Sequence, residues 1–371
     1  MRFPEFSGEW KEEQLDSIAT LSKGVGISKE QLSEVGEPCI LYGELYTKYK
    51  SEIIKQIESK TDIDCSKLKR SKANDVIIPC SGETAVDIAT ARCVPFDNIL
   101  FGGDLNVISL HKYDGAFMSY QLNGKRKYDI ARVAQGVSVV HLYGDHLKAI
   151  KTYNPTLPEQ QKIAKLLSLL DERIATQNKI IEKLETLIKG IRHNVFQQLR
   201  KDVGFNSTIG DILSFEQPQR YIVSSTEYSD DSSCTPVLTA NKAFILGYTT
   251  ETDGIYSKGD CIIIDDFTLD CKYVSFPFKI KSSAIKILTA ENKYILRFIY
   301  EYLKSLDIST EEHKRHYITE IQPSSCILPD DKTLTTIALM FESITNKLEN
   351  EQSLALMLNK QKQYLLSKMF I

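Results

Sequence analysis

Residues 157–196 constrain this chain more than any other stretch. Stepping from Ile163 by alternating fours and threes reaches Leu167, Leu170, Ile174, Gln177, Ile181, Leu184, Ile188, Ile191 and Val195, of which Gln177 alone is polar. A 4-3 alternation held this long is a heptad seam, which packs two helices along their length instead of burying one face in a globule. The flanks agree: Thr156 and Glu159 have capping-box spacing, Pro158 suits a first turn, and Lys, Arg and Glu fill the outward positions. The stretch predicts one long helix that needs a partner.

The sequence supplies that partner itself. The seam recurs 174 residues on (337 − 163 = 174) as Ile337, Phe341, Ile344, Leu348, Glu351, Ala355, Leu358, Lys362, Leu365 and Met369. The polar break falls at the same step, with Gln177 matched by Glu351, and Phe196 is matched by Phe370. Leu157-Pro158 is echoed by Leu328-Pro329, a few residues out of step. Heptad tracts resemble one another by composition alone, so two unrelated amphipathic helices are the bland alternative. The shared polar position and the shared ending speak instead for an internal duplication with a period of about half the chain.

Leu157-Pro158-Glu159-Gln160-Gln161-Lys162-Ile163-Ala164, followed by Leu170-Asp171-Glu172-Arg173-Ile174 and by Gly190 near the end of the tract, resembles the central conserved region of type I restriction-modification specificity (S) subunits. The opening Arg2-Phe3-Pro4-Glu5-Phe6-Ser7-Gly8-Glu9-Trp10 resembles the start of many of them. The resemblance covers the whole length and is specific in the central tract. It implies two α/β target-recognition domains, residues 1–154 and 203–327, separated by two long antiparallel coiled-coil helices, residues 155–202 and 328–371, in a pseudo-two-fold internal duplication. The second helix departs from the pattern, with Lys362 on the seam and no Glu-Gln after Pro329.

The same resemblance implies a DNA-binding role without catalysis. Each domain would read one half of an asymmetric split site in double-stranded DNA. Two methyltransferase (M) subunits would dock on the helices with their S-adenosylmethionine, and a restriction (R) subunit using ATP and Mg would join to cleave. No cofactor and no metal is expected on this chain. From Glu159 to Phe196 is 38 residues (196 − 159 + 1). At about 1.5 Å per residue that is roughly 57 Å, or at most about 17 base pairs, so the two half-sites should lie less than about 10 base pairs apart.

Composition fits without deciding. The 371 residues, 42% hydrophobic, suffice for two or three domains with substantial cores. No charged-then-apolar leader and no run near the roughly 18 apolar residues of a membrane span is present, so the cytoplasm is the expected compartment. The eight cysteines form no C-x-x-C pair and do not cluster with histidines, and read as reduced thiols. The net charge of −3 argues weakly against nucleic-acid binding, but an average hides local patches, and partner subunits share the phosphate contacts.

Within the first domain, residues 13–22 and 29–33 suggest short helices, and residues 76–80 and 98–101 buried strands. Residues 209–213 open the second domain as residues 15–19 open the first; residues 236–248 alternate like strand and loop, 261–264 read as a buried strand and 294–306 as a helix. Basic and amide side chains come late in each half. Lys125, Arg126 and Lys127 lie beside Tyr128, Arg132-x-x-Gln135-Gly136 precedes an apolar run, and His313-Lys314-Arg315-His316-Tyr317 precedes the last helix. With Lys242, these are the candidate DNA contacts, because Arg, Lys and Gln approach bases and phosphates. A charge run is more often a solvated turn, and recurrence in both halves is what lifts the DNA reading.

Catalytic patterns are incomplete. Phe101-Gly102-Gly103-Asp104 and Ser81-Gly82-Glu83-Thr84 each resemble part of a phosphate-binding loop but complete neither a G-x-G-x-x-G nor a Walker pattern, and read as turns. Asp265-Asp266 has no third ligand at metal-site spacing and reads as a strand-end turn. No Asn-Pro-Pro-Phe or Asp-Pro-Pro-Tyr tetrapeptide of adenine methyltransferases occurs. A stand-alone DNA-modifying enzyme, whether methyltransferase or nuclease, would need such motifs. A coiled-coil scaffold without DNA would leave two bulky, dissimilar domains unexplained.

Overall fold

The computed structural model describes residues 2–240, 243–306 and 315–370. It divides into two compact units, Met1–Asn178 with Ser353–Ile371, and Lys179–Gln352. Both long helices, Leu157–Asp202 and Asp331–Met369, contribute to each.

In the first unit a four-stranded antiparallel sheet runs in the order Ala19–Lys23, Leu105–Leu110, Asp75–Pro79, Arg92–Val94. A second sheet pairs Glu37–Ile40 with Leu100–Phe101 in parallel, and Lys11–Gln14 pairs with Lys151–Asn154 just before the first long helix. The second unit repeats this topology with other residues. Its four-stranded sheet runs Ser214–Glu216, Ile285–Thr289, Cys261–Asp265, Cys271–Val274; Thr235–Leu238 pairs in parallel with Lys279–Ile280; and Ser207–Thr208 pairs with Ser325–Cys326 before the second long helix. The duplication is therefore one of strand order as well as of helix periodicity. The strands at 75–79 and 261–265 are buried along their whole length, which is why Val76-Ile77-Ile78 and Ile262-Ile263-Ile264 are unbroken aliphatic runs.

Residues 13–22, expected as a helix, are instead strand, one turn at Leu15–Ile18, and strand. Ala19–Lys23 is held by the facing edge of Leu105–Leu110, and this long-range pairing overrides local helix propensity. Residues 29–33 form only a 3₁₀ turn and two strand residues.

In each unit the two long helices run antiparallel. Ile163, Ala164 and Leu167 pack with Leu366, Met369 and Phe370 in the first, and Phe196 and Leu199 with Leu334 and Phe341 in the second. Every seam residue from Ile163 to Val195 and from Ile337 to Met369 is buried or half-buried. Toward the chain end Leu366 goes deeper than the heptad position Leu365, the drift expected when a 3.6-residue turn carries a 3.5-residue repeat.

The opening motif acquires a physical role here. Glu159 turns both carboxylate oxygens onto Arg2, at 2.7 Å from Nε and 2.7 Å from Nη2, rather than acting as the expected capping-box partner. Trp10 stacks edgewise on Phe117 and Phe370 at 5.8 and 6.4 Å. The N-terminal segment thus clamps the start of one long helix and the end of the other.

Lys362, the charge on the seam, is not a flaw in the pairing. Its ammonium lies 2.6 Å from Glu52 and 2.7 Å from Asp171, and Tyr120 donates to the other Asp171 oxygen at 2.6 Å. Burial alone would lower the Lys362 pKa, but the charges of Glu52 and Asp171 outweigh it and hold the ammonium above its usual value. The second unit uses different residues for the same purpose. Glu301 receives Arg192 at 2.7 Å and Arg297 at 3.0 Å, and Arg297 reaches across to Thr345.

Candidate nucleic-acid interface

The basic tract of the first domain is a turn between two helices, Gly115–Asn123 and Lys127–Val133. Apolar Met118, Leu122 and Ile130 enter the core below it, so the polar residues between them are forced outward. Lys125 and Tyr128 are exposed, Lys127 is half-buried, and Arg126 lies over the Tyr153 ring at 5.1 Å with Asp129 at 3.2 Å. Arg132 also reaches Asp129, at 3.0 Å, while its side chain stays 76% exposed. Arg126 is a fixed, partly neutralised cation; Lys125 and Arg132 present theirs to solvent.

Gln135 opens a short loop. Its backbone exchanges both hydrogen bonds with His141, at 2.9 and 2.7 Å, and Val140–His141 pairs with Ser81–Gly82. Ser138 and Val139 of this loop line one wall of a cleft of about 720 Å³, with Tyr42, Tyr46, Lys50 and Arg92 among the other lining residues. Arg92 is the residue that the sequence reading missed. It is buried, its Nε and Nη1 donate to the carbonyls of Tyr49 and Ala91, and burial lowers its pKa, with Glu52 and Asp171 opposing. A lone Arg inside the apolar run Ala91-Arg92-Cys93-Val94 is the signal that marks it. Lys125, Lys127 and Arg92 also line a neighbouring cavity of about 520 Å³ with Gln363 and Ser367.

In the second domain the candidates divide. Arg315 is exposed, 3.9 Å from Asp266. His316 and Tyr317, expected to face DNA, are turned inward instead: they are 1% and 0% exposed, and Tyr317 stacks edgewise on Phe215. Their backbone amides donate to the Asp266 carbonyl and carboxylate, which fixes the start of a π-helical turn, Tyr317–Ile321. As placed, these two side chains serve the core. Lys242, His313 and Lys314 lie outside the described residues.

Asp265 and Asp266 form the turn that the sequence suggested. The Asp265 carboxylate accepts from the amides of Phe267 and Thr268, and Asp266 pairs with buried Lys286 at 3.3 Å. Ser81–Gly82 is a two-residue strand whose following Thr84 caps a helical turn, and Asp104 turns the chain at φ +59°. Among the described residues no three His, Cys, Asp or Glu side chains gather as a metal site.

Fold and surface define a class: two topologically alike mixed-sheet domains built on shared paired helices, with cations at loop ends. Residues 7–186 match the model of the type I restriction modification DNA specificity domain. A stretch of 143 residues is 41% identical to the specificity subunit of the type I restriction enzyme EcoR124I/EcoR124II of Escherichia coli, covering 37% of this chain and 35% of that one. The match thus spans about a third of that relative's length. The S subunit of a type I restriction-modification system from M. genitalium shares the fold at a TM-score of 0.70 and 18% identity, over 100% of this chain and 99% of its own. A chain from a structure of type I R-M complex assembly and conformational transition aligns at a TM-score of 0.52 and 13% identity, covering 98% and 97%. No described helix is long and apolar enough to cross a membrane.

Proposed function

We propose that this chain is the non-catalytic, DNA-reading subunit of a type I restriction-modification enzyme and acts in the cytoplasm. The observation that carries the proposal is a repeated topology with divergent surfaces. One strand order occurs twice, on shared helices, but the side chains at the loop ends differ, as two readers of two unlike half-sites require. Lys125, Arg126, Lys127, Arg132 and Gln135 in one domain, and Arg315 with Lys242, His313 and Lys314 in the other, are the proposed contacts. The exposed cations position the phosphates, and the amide and loop groups approach base edges.

Two methyltransferase subunits bound to the long helices supply S-adenosylmethionine chemistry, and a restriction subunit supplies ATP- and Mg-dependent cleavage. The first long helix has 46 residues, about 69 Å at about 1.5 Å per residue. In this reading helix length sets the gap: four residues inserted after Gln177, roughly 6 Å, lengthen it by about one or two base pairs.

The test is methylome sequencing of a host expressing the full system, with residues 1–154 exchanged for another domain of the family. One half-site should change and the other stay. Alteration of both halves, a continuous target, or methylation or cleavage by the purified chain alone would sink the proposal.

A further inference from the structure

Val137 is 97% exposed, the most exposed large hydrophobic side chain among the described residues, and Val139 two residues on is 52% exposed. Burying a valine is worth about 1.5–3 kcal/mol. At the loop tip that gain is forgone. Nor is the tip a slack segment. The backbone exchange between Gln135 and His141 closes its base, and the amide of Leu142 donates to the Cys80 carbonyl at 2.9 Å. The Ser81 hydroxyl lies 3.3 Å from His141 Nδ1. Gly136 sits at φ +121°, where a Cβ would fall 2.1 Å from the Val139 carbonyl oxygen, so only glycine permits this tight return. The chain uses a glycine and two strand residues to hold a valine out in water.

The surroundings of the tip point to the kind of partner. A protein interface needs a continuous apolar core of several anchors. Here the apolar tip is a narrow projection between polar groups: Gln135 and Ser138 on the loop itself, and exposed Arg132 three residues before it. A pre-organised projection of this width fits a DNA groove, where the only strongly apolar group on a base edge is the thymine 5-methyl.

We propose that Val137 is a specificity-determining residue of the first domain, its isopropyl group meeting the 5-methyl of a thymine in the major groove. The inference rests on the DNA-reading function above and goes further, by naming the residue and the base atom. Arg132 and the cleft behind the loop hold the backbone while the tip reads the base.

The experiment uses the assembled enzyme and duplexes carrying its recognised sequence. In the half-site assigned to the first domain, each thymine is replaced in turn by deoxyuridine, which removes only the methyl. Affinities are compared for the wild type and for Val137→Ala and Val137→Thr. At one position the lost methyl should weaken wild-type binding about fourfold, the equivalent of about 0.8 kcal/mol per buried methylene-sized group. Val137→Ala should weaken the thymine duplex and lose most of that discrimination, and Val137→Thr, which keeps one methyl, should retain part of it.

A half-site without thymine, no position sensitive to deoxyuridine, or an equal penalty in the Val137→Ala enzyme overturns the inference. So does a Val137→Ala chain that fails to assemble with the methyltransferase subunits, which would make the tip a protein contact. In all of these the enzyme still prefers its site over a scrambled duplex, or fails at assembly alone. An assembled wild-type enzyme with no such preference defeats the functional proposal, and this inference with it.

Discussion

Replacing Lys362 by Met should be the most informative single change on the long helices. The methionine keeps the volume and removes the charge that Glu52 and Asp171 share at 2.6 and 2.7 Å. The three side chains are 12%, 8% and 6% exposed, so water cannot take the place of the ammonium without opening the packing. Asp171 keeps the Tyr120 hydroxyl at 2.6 Å and Ser51 at 3.2 Å, whereas Lys362 is the only hydrogen-bond partner of the Glu52 carboxylate among the described residues. Losing one partner of a buried ion pair costs about 3–5 kcal/mol, and the Tyr120 bond places the expected loss near about 3 kcal/mol.

The cost should depend on pH with a definite sign. In the wild type the raised Lys362 pKa contributes stability that is complete at neutral pH and is lost only as pH rises through the folded value, above 10.5. In the variant the buried Glu52 and Asp171 carboxylates lose that shared ammonium. The deficit should therefore hold through neutral pH and shrink only as pH rises past 10.5, where the wild type loses its ammonium. The assay is urea unfolding of the purified chain followed by Trp10 fluorescence, since Trp10 packs in the same cluster as Leu366 and Phe370. A loss below about 1 kcal/mol at neutral pH would refute the claim that the seam lysine is a buried structural charge.

Two further outcomes concern the same helices. Leu167→Asp, at a site with 0% exposure, should unfold the first unit or cost well over about 3 kcal/mol, and the same change at half-buried Leu184 should cost clearly less; equal losses would deny graded burial along the seam. In the second unit, Glu301→Ala leaves Arg192 and Arg297 without their shared carboxylate and should cost about 3–5 kcal/mol by denaturant titration, with a smaller loss for Glu301→Gln, which keeps a hydrogen-bond acceptor.

What the sequence made legible follows the range of the interactions involved. The helices were readable because a heptad repeats within each segment, and Val76-Ile77-Ile78 and Cys261-Ile262-Ile263-Ile264 because a strand buried on both faces leaves an unbroken aliphatic run. Residues 19–23 were not, because their strand state is set by partners more than 80 positions away, as in Ala19 with Leu110. Lys362 looked like a defect for the same reason: Glu52 is 310 residues distant in sequence. His316 and Tyr317 share a basic-looking run with Arg315, and composition does not distinguish a side chain that turns inward, as Tyr317 does onto Phe215, from one that faces solvent. Arg92 was hidden by its place among apolar neighbours, where only its charge is out of keeping.

The duplication makes a last prediction that tests whether these polar locks give each half its own partner. The 174-residue shift places Ile188 on Lys362 and Asp171 on Thr345, so the two units occupy equivalent helix positions with unlike groups. In the first, Tyr120 and Lys362 meet Asp171; in the second, Arg297 meets Thr345. Copying residues 179–191 onto 353–365 would symmetrise that part of the second long helix, keep Leu366, Met369 and Phe370, and bring an isoleucine against Glu52 and Asp171. That chain should be destabilised by about as much as Lys362→Met, because the apolar seam is preserved and the lost charge dominates. Adding Glu52→Gln and Asp171→Asn should recover most of the loss, since an amide in an apolar setting lacks the desolvation penalty of a carboxylate. Recovery without those two changes would mean that apolar packing alone chooses the helix partner. Failure even with them would mean that the shape of the copied segment, not its charge, is what the first unit rejects.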